Sequence, residues 1–164
     1  MPYQSTKTYG HELGLSACFR QHRAKHSHCS LLHGYALSFK FVFECDELDD
    51  KNWVQDFGGL KELKQWLVNR FDHKLIVSED DPNKDDLCML AGLDLADVIV
   101  LPAVGCEAFA QMAWEFAAAL IYDGQRKLFI HGDHGTITTK QRVRVVSCEC
   151  AEHGANSAIY IGEK

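Results

Sequence analysis

Alternating apolar and polar residues mark the clearest element of the sequence. From Tyr35 to Cys45 nearly every second residue is apolar, and polar residues such as Lys40 and Glu44 occupy the opposite face. This period of two predicts a β-strand with one buried face. A similar alternation over residues 13–19 predicts an earlier strand, antiparallel to the first.

The segment between these two strands, residues 20–32, is the first candidate for function. It is longer than hairpin loops, which have about 2–5 residues. It is also dense in His and Arg. Loops positioned by a rigid scaffold often carry function, so we treat it as a functional loop and name residues 20–32 the His-rich loop.

Two stripes of apolar residues at helical spacing follow these strands. The first has Asp56 at a position suited to an N-terminal cap. The second is expected to stop near Gly124. The stripes consist of Leu60, Leu63, Trp66 and Leu67, and of Phe109, Met112, Ala113, Phe116, Ala117 and Leu120.

The remaining segments complete a coarse fold prediction. Residues 78–96 are acidic and rich in turn formers, which predicts a surface excursion, and residues 97–101 favour a short strand. Three later segments are strand-like: Lys127–His131, Arg142–Cys150 and Asn156–Ile161. The order ββααββ predicts an α+β fold, with two helices on one face of an antiparallel sheet, in a single domain over residues 1–164.

Composition narrows the functional class. The chain has 164 residues, 46% of them hydrophobic and 24% charged, as is typical of a globular domain. Seventeen Lys and Arg against 23 Asp and Glu give a net charge of −6, which argues against nucleic-acid binding. Seven dispersed cysteines without a C-x-x-C pair, and no long apolar run, predict a reduced, cytoplasmic protein without a membrane segment.

Three separate polar clusters are candidates for chemistry. Cys29 lies among Arg20, Arg23 and Lys25, cations that favour a thiolate, although a buried apolar role is the common alternative for a cysteine. Asp72 and His73 are adjacent and predict a proton relay, or else the C-terminus of a helix. Glu107 lies at the start of the second predicted helix, where a carboxylate stabilises the helix dipole. Glu152 lies between two predicted strands, where no comparable structural role explains a carboxylate.

Six short blocks are spread along residues 13–161. They read L-S-A-C-F-R, H-C-S-L-L-H-G-Y-A-L, D-F-G-G-L-K, F-D-H-K, G-C-E-A-F-A and E-H-G-A-N-S-A-I-Y. In their order and approximate spacing, the blocks together resemble the 6-pyruvoyl-tetrahydropterin and 6-carboxy-tetrahydropterin synthase family. The resemblance implies a tunnelling fold, whose subunits join their sheets into a barrel with sites at subunit interfaces.

The resemblance implies a role for each candidate residue. Cys29 matches the catalytic cysteine, Asp72 and His73 match its proton-transfer partners, and Glu152 matches the carboxylate that anchors the pterin ring. One ionised carboxylate can accept hydrogen bonds from both the exocyclic amine and the neighbouring ring N–H of a pterin or guanine. Glu107 is a second candidate around that ring.

The expected zinc site departs from the family pattern. The three positions at which the family binds zinc through histidine are occupied here by Phe19, His33 and Tyr35, so one ligand remains. Three alternatives follow: a metal is held by other residues, the reaction differs from that of the family, or the protein catalyses no reaction. The sequence does not determine the cofactor, and zinc is the one candidate. Replacement ligands could come from His22, His26 and His28, but we favour solvated or anion-binding roles for these.

Three functional hypotheses follow. The leading one is a lyase acting on 7,8-dihydroneopterin triphosphate or a close relative, of the 6-carboxy-tetrahydropterin synthase type on the way to 7-deazaguanines such as queuosine precursors. In it, Arg20, Arg23 and Lys25 receive phosphates. The second is a metal-free protein that binds a pterin or purine without turnover. The third, least favoured, is a zinc-binding interaction module built from the spacing H-x-H-C-x-x-x-H.

The predicted sheet also suggests self-association. Strands in a small chain leave unpaired edges, and the Phe-rich strand from Phe39 to Phe43 needs cover on one side. We therefore predict a homo-oligomer larger than a dimer.

Overall fold

A mixed β-sheet with helices packed against it forms the centre of the protein. The structure is a computed structural model that describes residues 1–131 and 142–163. Its strands are β1 (Tyr3–Tyr9), β2 (Leu15–Phe19), β3 (His33–Cys45), β4 (Lys74–Ser78), β5 (Asp97–Leu101), β6 (Arg144–His153) and β7 (Asn156–Ile161). Its α-helices are α1 (Lys61–Phe71), α2 (Lys84–Gly92) and α3 (Cys106–His131).

The strand order in the described residues is β5-β4-β2-β3-β6-β7, and β1 pairs with β3 alongside this path. The long strand β3 is the centre of the sheet and runs antiparallel to β1, β2 and β6. However, β4 runs parallel to both β2 and β5. The α+β class is therefore as predicted, but the sheet is mixed rather than wholly antiparallel.

The predicted strand faces agree with the observed burial. Phe39, Phe41 and Phe43 are completely buried in one chain, in a core that includes Leu63 of α1 and Phe109 of α3. Helices α1 and α3 contact each other as well as the sheet, so they share one face of it. The expectation that the Phe-rich strand needs cover from another subunit is therefore wrong, because these helices already cover it.

Several element predictions need correction. Helix α3 does not stop near Gly124 but continues to His131, so Lys127–His131 is helical rather than a strand. One exposed glycine costs a helix only about 1 kcal/mol relative to Ala, which a long packed helix can tolerate. The predicted surface excursion over residues 78–96 contains α2.

Two strands were not predicted from the sequence. β1 alternates polar residues with few apolar ones, and β4 is five residues long and almost entirely buried. A short, fully buried strand has no period of two to detect. Asp56 does cap the first helical segment, because its side chain accepts a hydrogen bond from the Gly58 amide at the 3-10 turn that leads into α1.

None of the helices in residues 1–131 and 142–163 combines the length and the apolar character that crossing a membrane requires.

Candidate active site

The candidate site lies where one end of the central sheet meets the start of α3. Phe19 ends β2, His33 begins β3 and pairs with Phe19, and β6 ends at His153. Because β2 and β3 are antiparallel neighbours, the end of the first and the start of the second meet at the same edge. The His-rich loop connects them, so Cys29 is held close to this edge.

Cys29 is fixed by the local turn of the loop. It lies in a 3-10 turn formed by residues 28–30, and Ser27 Oγ accepts a hydrogen bond from the Cys29 amide at 3.1 Å. The Gln21 amide donates to the Cys29 carbonyl at 2.7 Å, which ties the turn to the end of β2. The side chain is partly exposed, so the alternative of a fully buried apolar cysteine does not hold.

An aromatic cluster occupies the three positions at which the family resemblance implies zinc-binding histidines. The ring centroids of Phe19, His33 and Tyr35 form a triangle with sides of 5.4, 5.3 and 6.1 Å. Phe19 is 1% exposed and packs edge-to-face on Phe109 of α3, at 5.2 Å between centroids. The sequence therefore identified three residues that do meet in space, but they offer one imidazole.

Tyr35 shows which groups surround this cluster. Burial raises the pKa of Tyr35, and the negative charges of Glu152, Cys29 and Cys106 raise it further. The structure thus places the predicted thiol of Cys29 and the predicted ring anchor Glu152 close enough to influence the same phenol. No ion pair or hydrogen bond to the Glu152 side chain is found in the described part of the chain, and the residue is partly exposed.

A pair of thiols lies near Glu152. Burial raises the pKa of Cys150 well above its ordinary value, and its hydrogen bond with Cys106 raises it further. Both cysteines are buried, so this part of the site is apolar.

Glu107 is placed near the site by a glycine that the geometry requires. Gly105 precedes α3 with φ of 114°, a region in which side chains are strained. A Cβ atom at position 105 would lie 2.4 Å from Gln21 Nε2 and 3.6 Å from Glu107 Oε2. Gln21 Nε2 also donates to the Val104 carbonyl at 2.8 Å. The His-rich loop and the start of α3 therefore pack directly on each other.

Asp72 and His73 form a dyad away from Cys29. His73 Nδ1 lies 2.6 Å from Asp72 Oδ1, and the His73 side chain is 84% exposed. Lys74 pairs with Ala17, which places His73 near the start of β2, whereas the His-rich loop leaves the other end. The two ends are roughly 10 Å apart along the strand. No hydrogen bond joins the dyad to Cys29 within the described residues of one chain.

Arg20 and Arg23 each bind a carboxylate from the turn before α2. Arg20 contacts Asp81 with Nε at 2.8 Å and Nη2 at 2.6 Å, and the Asp81 side chain is only 1% exposed. The hydrogen bonds from Arg20 hold the pKa of Asp81 below its ordinary range. Arg23 pairs with Asp80 at 2.6 Å, with both side chains largely exposed.

The residues at the aromatic cluster do not fit a zinc ion. Phe19 has no donor atom and a neutral Tyr35 phenol does not replace an imidazole on zinc, so His33 is the one family-type ligand in the cluster. His26 and His28 are exposed, and His22 has its Nδ1 atom buried near Asp80 and Asp81. Residues 1–131 and 142–163 contain no group of three His, Cys, Asp or Glu side chains arranged for a metal. The zinc-module hypothesis therefore has no support.

Sequence reasoning missed several contributors to the site. Cys106 and Gln21 contact it only because α3 and the His-rich loop meet, and nothing in their local sequence signals that contact. His153, by contrast, was a candidate from the sequence as the neighbour of Glu152, and its ring lies 6.1 Å from that of Tyr35. The pairing of the loop arginines with Asp80 and Asp81 joins residues about sixty positions apart, which only a contact-level signal such as covariation could reveal.

Comparison with known proteins identifies relatives of this chain. A sequence model described as 6-pyruvoyl tetrahydropterin synthase matches residues 11–163. A 6-carboxy-5,6,7,8-tetrahydropterin synthase of Rickettsia conorii is 37% identical over 54 residues, which are 32% of this chain and 39% of that protein. The corresponding protein of Rickettsia felis is 35% identical over the same length. The matched segment thus spans about two fifths of the relatives' own length.

Solved structures extend the similarity to nearly the whole chain. An uncharacterized protein of Wolinella succinogenes has a TM-score of 0.74 and 19% identity, with 99% of each chain covered. The 6-pyruvoyl tetrahydropterin synthase of Plasmodium falciparum has a TM-score of 0.61 and 16% identity, with 97% of this chain and 96% of that chain covered. These structures confirm the predicted tunnelling fold.

Proposed function

The chain belongs to the 6-pyruvoyl tetrahydropterin synthase family, and on this basis we propose that it is a lyase acting on 7,8-dihydroneopterin triphosphate or a close relative. The observation that supports the proposal is the gathering of Cys29, Tyr35 and Glu152 at one end of the sheet. A thiol that can exchange a proton and a carboxylate that can hold a ring then share one site. The similarity to 6-carboxy-5,6,7,8-tetrahydropterin synthases supports 6-carboxy-tetrahydropterin, a 7-deazaguanine and queuosine precursor, as the product.

Glu152 is the proposed anchor for the ring. Its ionised carboxylate would accept hydrogen bonds from the exocyclic amine and the adjacent ring N–H of a pterin. A purine with the same edge, such as guanine, would bind in the same way. Glu107, at the start of α3, is the proposed second carboxylate near the ring.

Cys29 is the proposed proton acceptor. Its thiolate would remove a proton from the carbon side chain of the substrate, after which triphosphate leaves or a carbon–carbon bond breaks. Arg23 and Lys25 would contact the phosphates from the exposed part of the His-rich loop. Arg20 would contribute its charge from its anchored position beside Asp81.

The Asp72–His73 dyad completes the proposal only in an oligomer. Because it makes no hydrogen bond to Cys29 within the described residues of one chain and His73 is exposed, we propose that the dyad of one subunit faces the Cys29 of another. His73 can exchange a proton near neutral pH while Asp72 orients its ring. The two ends of the sheet path, β5 and β7, have unpaired outer edges in the described residues and are available for such assembly.

A second function is favoured by the aromatic cluster. Since Phe19 and Tyr35 cannot replace imidazoles on zinc, the charge stabilisation that zinc supplies to this chemistry would be lost. The alternative proposal is therefore a metal-free protein that binds a pterin or purine and does not convert it.

A turnover assay separates these two functions. Protein treated with EDTA is incubated with 7,8-dihydroneopterin triphosphate, and products are separated by chromatography. If the protein is a lyase, the wild type should turn over the substrate and Cys29→Ala should not. Cys88→Ala is the matched control and should keep the activity, because Cys88 lies in α2. Binding without product would support the alternative, and equal activity of both variants would remove Cys29 from the mechanism.

Sizing should show a species larger than a dimer, and a stable monomer would contradict the shared site.

A binding assay tests the ring anchor. Glu152→Gln sets an amide donor against the N–H groups of the ring, so affinity for neopterin should fall on the order of 100-fold, or about 3 kcal/mol. Glu149→Gln is the matched control, since Glu149 lies on the same strand and pairs with Lys40 and Ile159 in the middle of the sheet. Unchanged affinity in Glu152→Gln would exclude this residue as the anchor.

A further inference from the structure

The tautomer of the neutral His33 ring is fixed by the backbone. His33 Nδ1 lies 2.7 Å from the Leu31 carbonyl oxygen. A carbonyl oxygen can only accept a hydrogen bond, so Nδ1 must carry a proton. In the neutral ring Nε2 then has a free lone pair and acts as an acceptor.

Tyr35 offers the complementary group next to this ring. The two rings lie 5.3 Å apart at 88°, and no hydrogen bond to the Tyr35 hydroxyl is found within the described residues. The phenol of a tyrosine carries its proton at neutral pH and is therefore a hydrogen-bond donor. Phe19 lies between them and the core as an apolar floor.

The pair has a specific chemical complement. A ligand hydroxyl can accept a hydrogen bond from a phenol and donate one to an imidazole nitrogen at the same time. A carbonyl or phosphate oxygen cannot donate to Nε2, and a zinc ion would find one ligand where it needs at least three. The position that holds a metal in the family therefore carries a donor and an acceptor suited to an alcohol.

We propose that His33 and Tyr35 form a hydroxyl-binding subsite that works without metal and selects ligands with an alcohol on the side chain of the ring. The subsite rests on the proposed function for the position of the ring, which Glu152 would hold. Tyr35 is in this view a specificity-determining residue, and its substitution should change which ring compound binds rather than whether rings bind.

Two probes that differ by one hydroxyl test the subsite. The affinities of 6-hydroxymethylpterin and 6-methylpterin are measured by fluorescence titration of EDTA-treated protein. We expect 6-hydroxymethylpterin to bind more tightly than 6-methylpterin, by a factor on the order of ten. This factor corresponds to the free energy of one or two neutral hydrogen bonds. Tyr35→Phe keeps the aromatic ring and should reduce this preference by roughly fivefold, with the affinity for 6-methylpterin unchanged.

Tyr160→Phe is the matched control, because Tyr160 packs on Trp114 and belongs to β7. It should leave both affinities unchanged. If both pterins bind the wild type equally, or if Tyr35→Phe keeps the full preference, the subsite is wrong while the ring site stands. If neither pterin binds, the ring site of the proposed function is wrong and the subsite is wrong with it. A preference that requires one zinc per chain and is lost with EDTA would also overturn the proposal.

Discussion

The ion pair between Arg20 and Asp81 is expected to be the main anchor of the His-rich loop. The Asp81 carboxylate accepts three hydrogen bonds. Arg20 donates two of them, and the backbone N–H of Asn83 donates the third at 2.8 Å. Asp81→Asn keeps the shape of the side chain but removes its charge and sets an amide donor against the guanidinium. The variant therefore tests the pair without creating a cavity.

The structure sets the size of the effect. Removing one partner of a fully buried pair costs about 3–5 kcal/mol. Arg20, however, is 21% exposed and keeps a 2.9 Å hydrogen bond to Asn83 Oδ1, so water and this contact recover part of the loss. We expect the free energy of unfolding to fall by about 2–3 kcal/mol. With a urea m-value of about 2 kcal/mol/M, the unfolding midpoint falls by about 1–1.5 M.

Asp80→Asn provides the control at the neighbouring position. Asp80 and its partner Arg23 are both exposed, so this variant should shift the urea midpoint much less. Both variants are compared at one protein concentration, because self-association would make stability depend on concentration. Equal shifts for the two variants would refute the view that burial makes the Arg20 pair the stronger one.

The same comparison has a predicted pH dependence. The pKa of Asp81 is lowered in the folded state, chiefly by the hydrogen bonds from Arg20, below the value of about 3.9 expected for an unfolded chain. Its stabilisation is therefore fully present above pH of about 5 and is lost as the pH falls through the folded-state pKa. The stability difference between wild type and Asp81→Asn should be constant from pH 5 to 7 and shrink below pH of about 4. A difference that grows on acidification would contradict this linkage.

Two further predictions concern backbone geometry and the missing metal. Thermal unfolding should show that Gly105→Ala destabilises the fold by about 1–3 kcal/mol, because position 105 has a positive φ and lies close to the Gln21 side-chain amide. Gly124→Ala should instead stabilise the fold by up to about 1 kcal/mol, because Gly124 lies within α3 and a Cβ atom there would meet no neighbour. Phe19→His combined with Tyr35→His should create a site that binds one zinc per chain by elemental analysis, since three imidazoles then meet. Absence of zinc from the folded double variant would show that more than these two side chains prevents metal binding.

The parts of the fold that were predictable are those with a strong local period. The alternation in β3 and the stripe in α1 come from residues that face one core, so their spacing records the structure. β4 could not be found in this way, because nearly all of its residues are buried and the sequence has no alternation there. The end of α3 was misplaced because Gly124 disfavours a helix only slightly, and packing against β6 and β7 outweighs that preference.

The proximity of several candidate residues was predictable, but their arrangement was not. Cys29, Glu152 and the three aromatic-cluster positions lie at one end of the sheet, as the family resemblance implies. The roles of Asp80 and Asp81 depend on contacts between distant segments, which no local pattern encodes. The tautomer of His33 depends on a backbone carbonyl whose direction is set by the loop, so only coordinates reveal it.

The central pairing of β3 with β6 has a consequence for the order in which the chain can fold. Lys40 pairs with Glu149, more than a hundred positions later, whereas β2 and β3 are neighbours in sequence. Contacts of such large sequence separation slow folding, because the entropy of closing a long loop is lost before the contact forms. On a ribosome, β1 to β3 would emerge well before their partner, and one edge of β3 would stay open during that interval. We expect nascent chains that end before Arg144 to be sensitive to protease and to recruit chaperones, and chains that include β6 to become resistant.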